Sequence, residues 1–344
     1  MTYVRNTWYV AAWSHEIAVD QPLATRVLNE PIVMWRDSTG RLAALADRCL
    51  HRLAPLSLGR CQGETLRCRY HGWLYDHAGR LIEIPGQAQM PASGLQVRVY
   101  PVVERYGWVW VWIGEPARAN AELIPPLVGI GHPDYEFDYG QLDYAAEARL
   151  ITDNLLDLSH VSFLHTESFR MSEIWARARP KLTEQERGIR SERWVRNEGP
   201  MGELNATNRV DTYFRCDFFI PGVLLMAARA YPVGTAAALS DAQPPQFSSM
   251  EEGFTTQAVT PMTDRTARYF YMMGWPRGRV DQASRDATRV IYEKGFAEDQ
   301  RMIEAQQRSI DASPAARFMS SSADQGVVLF NRLVEKLARQ ELAQ

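Results

Sequence analysis

Cys49-Leu50-His51, followed after sixteen residues by Cys68-Arg69-Tyr70-His71, is the stretch on which the reading of this chain turns. Each short segment supplies one thiol and one imidazole. A [2Fe–2S] cluster of raised potential needs this donor set: two thiolates on one iron, and two neutral imidazoles in place of thiolates on the other. Pro55, Gly59 and Gly72 beside the ligands supply the turn chemistry of tight ligand loops. A structural zinc site uses the same donor types and is the competing reading. Zinc sites more often pair Cys with Cys and His with His along the chain, so the mixed pairs favour the cluster. Cys61 lies outside both pairs and Cys216 stands alone; each reads as a small buried hydrophobe.

Outward from this stretch, Val27 to about Pro116 reads as short strands separated by turns. Ile32–Trp35, Leu42–Leu45, Leu81–Ile84 and Val97–Val103 are strand candidates, and Trp108–Ile113 is β-prone throughout and closed by Gly114-Glu115-Pro116. We take residues 1–116 as an all-β domain and 117–344 as a second, mixed one. The second has helical character from Ala146 to about Val161 and strands across 208–276. A loop from Gly234 to Met250, rich in Ala, Ser, Pro and Gln, is expected to be mobile. A helix follows from Asp281 to Ala312, and another near the end carries Phe330, Leu333, Val334 and Leu337 on one stripe. Grouped strands with helices at the ends make the chain α+β.

A length of 344 residues suits about two domains. The formal net charge of −3, with no basic run of five, gives no reason to expect nucleic acid or an anionic membrane as partner. The N-terminus lacks the features of a signal peptide, and the longest uncharged apolar stretch, Phe218–Ala228, is too short to span a bilayer. Four cysteines make no disulfide framework in a chain of this size. A cytoplasmic protein is expected.

A second constellation lies in Asp153-Asn154-Leu155-Leu156-Asp157-Leu158-Ser159-His160-Val161-Ser162-Phe163-Leu164-His165. Asp157 and His160 are helical neighbours by spacing, whereas His165 falls on another face. For both histidines to bind one ion, the helix must distort or end between them. The third ligand is sought where a carboxylate breaks an apolar stripe. Tyr292, Phe296, Ile303 and Ile310 follow helical spacing, and Asp299 falls on the same stripe. A carboxylate there is costly unless paired or metal-bound. Two histidines and one aspartate form the facial triad of non-haem Fe(II) sites; an arginine partner for Asp299 is the alternative. Glu293, Glu298 and Glu304 lie off the stripe and are expected to be solvated. His15, His77 and His132 stand alone and are expected at the surface.

Together these motifs resemble the Rieske non-haem iron ring-hydroxylating oxygenases over essentially the whole chain. The likeness is greatest to the branch built from one type of subunit, with vanillate O-demethylase, dicamba O-demethylase and toluenesulfonate methyl-monooxygenase in it. Val4–Ala12, Cys49–Pro55, Tyr70–Gly72, Ile84–Gln87 and Phe296–Asp299 carry the resemblance, with Asn-x2-Asp-x2-His-x4-His. It implies that Cys49, His51, Cys68 and His71 hold the Rieske [2Fe–2S] cluster, and that His160, His165 and Asp299 hold the mononuclear Fe(II). It gives Asp157 a bridging role between the cluster of one subunit and the iron of its neighbour in a homotrimer, and places Asn154 near the iron.

The resemblance further implies a helix-grip catalytic domain, a curved antiparallel sheet around a long helix. O2 is the implied co-substrate, with electrons from NAD(P)H through a separate reductase of flavin or ferredoxin type. The expected reaction is O-demethylation or methyl hydroxylation of a small aromatic substrate, an acid being favoured. Ring dihydroxylation is the alternative within the class; a Rieske electron carrier without oxygenase activity and a zinc-stabilised binding module are alternatives outside it. One departure is Gln257, within Thr255-Thr256-Gln257-Ala258-Val259-Thr260-Pro261, where relatives commonly carry a histidine.

Overall fold

Trp108–Ile113 is apolar at every position and buried at every position, so it reads as a continuous run instead of an alternating one. It forms the middle of a three-stranded sheet between Thr7–Trp13 and Val102–Arg105. This belongs to the first of two compact units in the computed structural model, made of residues 4–124 and 260–263. The second unit gathers 125–259 and 264–344 with the first residues of the chain. The structure describes residues 3–89, 94–199, 201, 207–244 and 253–342.

Two further sheets complete the first unit. One orders Leu23–Val27, Glu30–Arg36 and Leu42–Ala46; the other orders Arg60–Gln62, Thr65–Arg67, Leu74–Asp76 and Leu81–Glu83. The expected strand Val97–Val103 is displaced. Residues before Pro101 make only isolated bridges, such as Leu45 with Val99, and the ladder begins at Val102. Proline has no N–H to give a ladder, which accounts for the late start. Thr7–Trp13, all seven residues buried, precedes the region where strands were expected.

The second unit is built on a seven-stranded antiparallel sheet. Its order is Tyr135–Tyr144, Ala267–Pro276, Phe254–Pro261, Val223–Tyr231, Val210–Phe219, Gly188–Glu198 and Lys181–Gln185. Three of these strands, Tyr135–Tyr144, Lys181–Gln185 and Gly188–Glu198, were not legible, because charged Arg193 and Glu198 take buried positions, Tyr139 takes an exposed one, and the apolar–polar alternation is broken. The expected helix from Ala146 is Ala148–Leu156 and stops short of Val161. In the expected loop, Thr235–Ala238 is a short helix, where Asp211 Oδ2 accepts the backbone N–H groups of Gly234 (2.9 Å) and Ala236 (3.0 Å). Residues 245–250 of that loop lie outside the described residues.

The long helix, Gln282–Ala312, starts where Asp281 accepts the Ser284 N–H at 2.9 Å, an ordinary N-cap. Arg285 fastens its first turns to the edge strand through Asp138 (3.1 Å) and Glu136. Farther along, Phe296 and Ile303 enter a core with Ile151, Val259, Tyr269, Tyr271 and Met273. The sheet therefore grips this helix through its aromatic stripe. The last helix, Gln325–Leu342, buries Phe330 against Phe218 at 4.7 Å between ring centroids. No helix among the described residues is long and apolar enough to cross a membrane. Since Ile303 is 2 % exposed, Ile303→Ala is expected to cost about 2–5 kcal/mol, read as a lower urea midpoint for the second unit with the cluster absorbance intact.

Candidate metal centres

The two Cys–His loops share one backbone design. Cys49 N–H donates to Ala54 O (2.8 Å) and Leu53 N–H returns to Cys49 O (2.9 Å). In the second loop Cys68 N–H donates to Trp73 O (2.8 Å) and Gly72 N–H to Cys68 O (3.0 Å). The fourth residue after each cysteine turns into positive φ, +57° at Leu53 and +75° at Gly72. A side chain at Gly72 would also meet Pro85, its Cβ only 2.8 Å from Cγ. Both thiols are buried, and both imidazoles are exposed with ring centroids 4.4 Å apart. Trp73 stacks on His51 at 4.9 Å. Burial, with Cys68 close by, pushes the Cys49 thiol up, and Tyr75 OH lies 3.2 Å from its Sγ while accepting Leu50 N–H at 3.0 Å.

The exposure of the imidazoles and burial of the thiols suit the cluster reading of the motif. One tetrahedral zinc would draw its donor atoms to roughly 3.5 Å of one another. Among the described residues, the group of three or more such donors converging within 4.8 Å is His160, His165 and Asp299, with none from the Cys–His loops. Two irons, one taking both thiolates and the other both imidazoles, suit a set with buried thiols at one end and exposed imidazoles at the other.

The second centre forms where the helix Ala148–Leu156 gives way. Asp157 is extended (φ −111°, ψ 93°), a 3-10 turn covers Leu158–His160, and Val161–Leu164 forms one more turn ending at His165. The helix thus ends before the two histidines, as their spacing requires. His160 Nε2 and His165 Nε2 lie 3.5 and 3.4 Å from the same atom, Asp299 Oδ1. Asn154 Nδ2 donates to that oxygen at 3.1 Å. No arginine among the described residues pairs with Asp299. On the far side of the rings, His160 Nδ1 meets the backbone carbonyl of Asp157 at 2.6 Å, and His165 Nδ1 meets Glu298 Oε2 at 2.8 Å.

Burial pulls the His160 pKa down against the attraction of Asp299. Burial acts the same way at His165, but the nearby Asp299 carboxylate and the hydrogen-bonded Glu298 carboxylate outweigh it and raise that pKa. His165 Nε2 is fully buried without a hydrogen-bond partner, which is costly unless a cation sits before it. Two imidazole nitrogens and one carboxylate oxygen facing one point fit a divalent iron with open positions.

A cavity of about 530 Å³ opens from this point. Phe169, Trp175, Phe214, Leu224, Met226 and Phe296 make apolar walls, and Gln257 contributes a buried amide.

Comparison with known proteins finds a domain of known family around each centre. The Rieske [2Fe-2S] domain profile matches residues 7–101, and the vanillate O-demethylase oxygenase C-terminal domain profile matches 144–340. The chain belongs to the Rieske non-haem iron oxygenases. It is 34% identical to the putative toluene-4-sulfonate monooxygenase system iron-sulfur subunit TsaM2 of Comamonas testosteroni, over 98% of each chain. It is 33% identical to the vanillate O-demethylase oxygenase subunit of Pseudomonas sp. (strain HR199 / DSM 7063), covering 99% of this chain and 97% of that one. Dicamba monooxygenase bound to dicamba superposes with a TM-score of 0.84 at 28% identity, over the full length of both chains. A Rieske cluster and a mononuclear iron are the cofactors of this oxygenase.

Several residues of the oxygenase stand apart from the sequence reading. Glu298, expected to be solvated, is 6 % exposed, and its carboxylate accepts from His165 Nδ1 and from Ser168 Oγ at 2.5 Å. Helical spacing alone gave it no apolar neighbours; the turn carrying His165 and Ser168 covers it instead. Glu304 is half-buried and accepts Ala145 N–H at 3.0 Å, while Glu293 is exposed as expected. His77, expected at the surface, has its side chain 8 % exposed, 3.4 Å from fully buried Asp37 and beside Trp35. His132 is half-buried and His15 exposed. Cys61 is half-buried, its thiol pushed up to about 11 by burial, and Cys216 is buried, pushed up to about 12. Asp157 does not present its carboxylate to His160; Oδ1 instead accepts Ser159 N–H at 2.9 Å, because the residue caps the next turn. Gly295 was also missed: a Cβ there would strike Phe169 at 2.5 Å, and that ring packs on His165 at 4.5 Å. Glu298→Ala is expected to weaken iron binding about 10- to 100-fold in chelator competition, with the cluster absorbance unchanged.

Proposed function

We propose that this chain is the oxygenase component of a multicomponent monooxygenase that removes an O-methyl group from, or hydroxylates a methyl group of, a small aromatic compound. Residues 1–116 carry the cluster on Cys49, His51, Cys68 and His71, and residues 117–344 carry the iron on His160, His165 and Asp299. The observation that carries this reading is the convergence of those three donors at one end of a 530 Å³ cavity, a size that suits a single substituted ring. The intact triad is also what disfavours a bare electron carrier. When bound, the iron supplies O2 activation and the cluster supplies the electrons.

The residues themselves hold, orient and exclude. Asp157 O and Glu298 fix the two imidazole rings, and Asn154 Nδ2 steadies the Asp299 oxygen. Tyr75 OH lies against the Cys49 sulfur, where a hydrogen bond raises the potential of a bound cluster. The apolar walls keep stray water from the reacting carbon. Hydroxylation of a methyl ether leaves a hemiacetal that breaks its C–O bond to give a phenol and formaldehyde.

The electron donor is a separate NAD(P)H-dependent reductase of flavin or ferredoxin type, and the working assembly is a homotrimer. The exposed edges of His51 and His71, with Leu53 exposed in the same turn as His51 and Tyr70 exposed against His71, support docking of a partner there. The absence of a disulfide among the four cysteines agrees with a cytoplasmic setting.

The test is O2 uptake and formaldehyde release from methoxylated and methylated aromatics with a surrogate reductase. Asp299→Ala is expected to abolish both while iron per subunit falls from about three to about two and the cluster spectrum persists. Unchanged iron content would remove Asp299 from the ligand set. Asp157→Asn addresses the bridging role. Asparagine keeps the backbone carbonyl for His160 and can still cap the turn, so both metals and the oligomer are expected to stay while turnover falls. Wild-type turnover in that variant would refute the bridge.

A further inference from the structure

The cavity beside the iron triad is short of positive charge. Among the described residues that line it, the acidic, basic and imidazole side chains belong to His160, His165, Asp299 and Arg229. The first three face the metal point. Arg229 does not turn its guanidinium inward: Leu224, Met226 and Ala228 line the cavity from alternate positions of the strand, and Arg229 has the opposite parity. Its charge lies over the Tyr231 ring at 5.4 Å, and Tyr231 packs with Trp194 and Tyr213 in a cluster that shares no residue with the cavity lining. Residues 202–206 and 245–252, which adjoin the lining residues Met201 and Gly253 in sequence, contain no lysine or arginine.

Negative charge is already present. Asp299 and Glu298, both buried, bring two carboxylates to the His165 ring, and the two charges of a ferrous ion balance them. A third carboxylate in the cavity would be buried without a counter-charge, the costly case. The buried polar group offered to a ligand is instead neutral. Gln257, 2 % exposed, has its amide fixed by Tyr269 OH donating to Oε1 (2.9 Å) and by Nε2 donating to Thr255 Oγ1 (2.8 Å). An amide nitrogen carries two hydrogens, so one remains for a ligand acceptor. A ligand without an acceptor would leave that donor unpaired.

We propose that the cavity takes an uncharged ring compound bearing a carbonyl, ether or phenol oxygen, anchored by Gln257, and discriminates against aromatic acids. This rests on the oxygenase reading above and deepens it; it departs from the acid that the family resemblance favours.

The isosteric pair 4-methoxybenzamide and 4-methoxybenzoate isolates the charge. Equilibrium dialysis with the iron- and cluster-loaded protein at neutral pH is expected to show the amide bound at least about tenfold more tightly. Gln257→Leu should weaken the amide about tenfold, and Gln257→Arg, which supplies the missing cation, should reverse the preference, each with iron content and cluster absorbance retained. Benzoate bound as tightly as benzamide by the unmodified protein overturns the proposal, whatever the variants do. Binding needs no turnover, so the two readings fail separately: tight binding of the amide without formaldehyde release supports the neutral cavity and sinks O-demethylation. Binding of neither compound overturns both.

Discussion

His165 has a carboxylate at each ring nitrogen, Glu298 at Nδ1 and Asp299 at Nε2, and these two acids are consecutive residues of one helix. The iron site depends on that clamp. Consecutive helical positions point about 100° apart, so both can reach one imidazole only if its ring is laid across the helix. Gly295 makes the approach possible, since its missing side chain leaves room for Phe169, which backs the imidazole. The aromatic stripe at Phe296 and the Arg285 fastening then fix where along the sheet the helix lies. The proposed iron ligand Asp299, the acid Glu298 that orients His165 and the packing contact at Gly295 thus occupy five residues.

The clamp also explains the chemistry of the pair of histidines. Burial lowers the His160 pKa although the Asp157 carbonyl and Asp299 oppose it, whereas at His165 the carboxylates of Asp299 and Glu298 outweigh burial and raise it. Two imidazoles that would look alike in solution are thus held by different groups, a carbonyl behind one and a carboxylate behind the other. The break at Asp157 serves the same end, since an unbroken helix would turn His160 and His165 to different faces.

In the first unit the controlling constraint is backbone reuse. Two loops of the same hydrogen-bonding pattern set two cysteines inward and two histidines outward, and each turn is made by one residue with positive φ. Leucine holds that position in one loop and glycine in the other. At Gly72 the close approach of Pro85 leaves no room for a side chain, which Leu53, 69 % exposed, does not face.

The ligand types, their spacing, the β-rich first part and the long helix with Asp299 on its apolar stripe were all legible in the sequence, because donor chemistry and periodicity are local properties of the chain. Residues whose meaning depends on partners far away in sequence were not. Glu298 looked solvated because its own helix offers no contact for it, and the segment that covers it lies about 130 residues earlier. Asp157 looked like a carboxylate partner for His160 because spacing cannot tell a side chain from the carbonyl beside it. Tyr75 and Gly295 carried no local signal at all, and Gln257 stood out only as a departure from the family pattern, with nothing to say how its amide is held. Sequence determined which atoms could bind metal; only the tertiary structure decided which groups stand behind those atoms and which charges reach the cavity, because those are set by packing between distant segments.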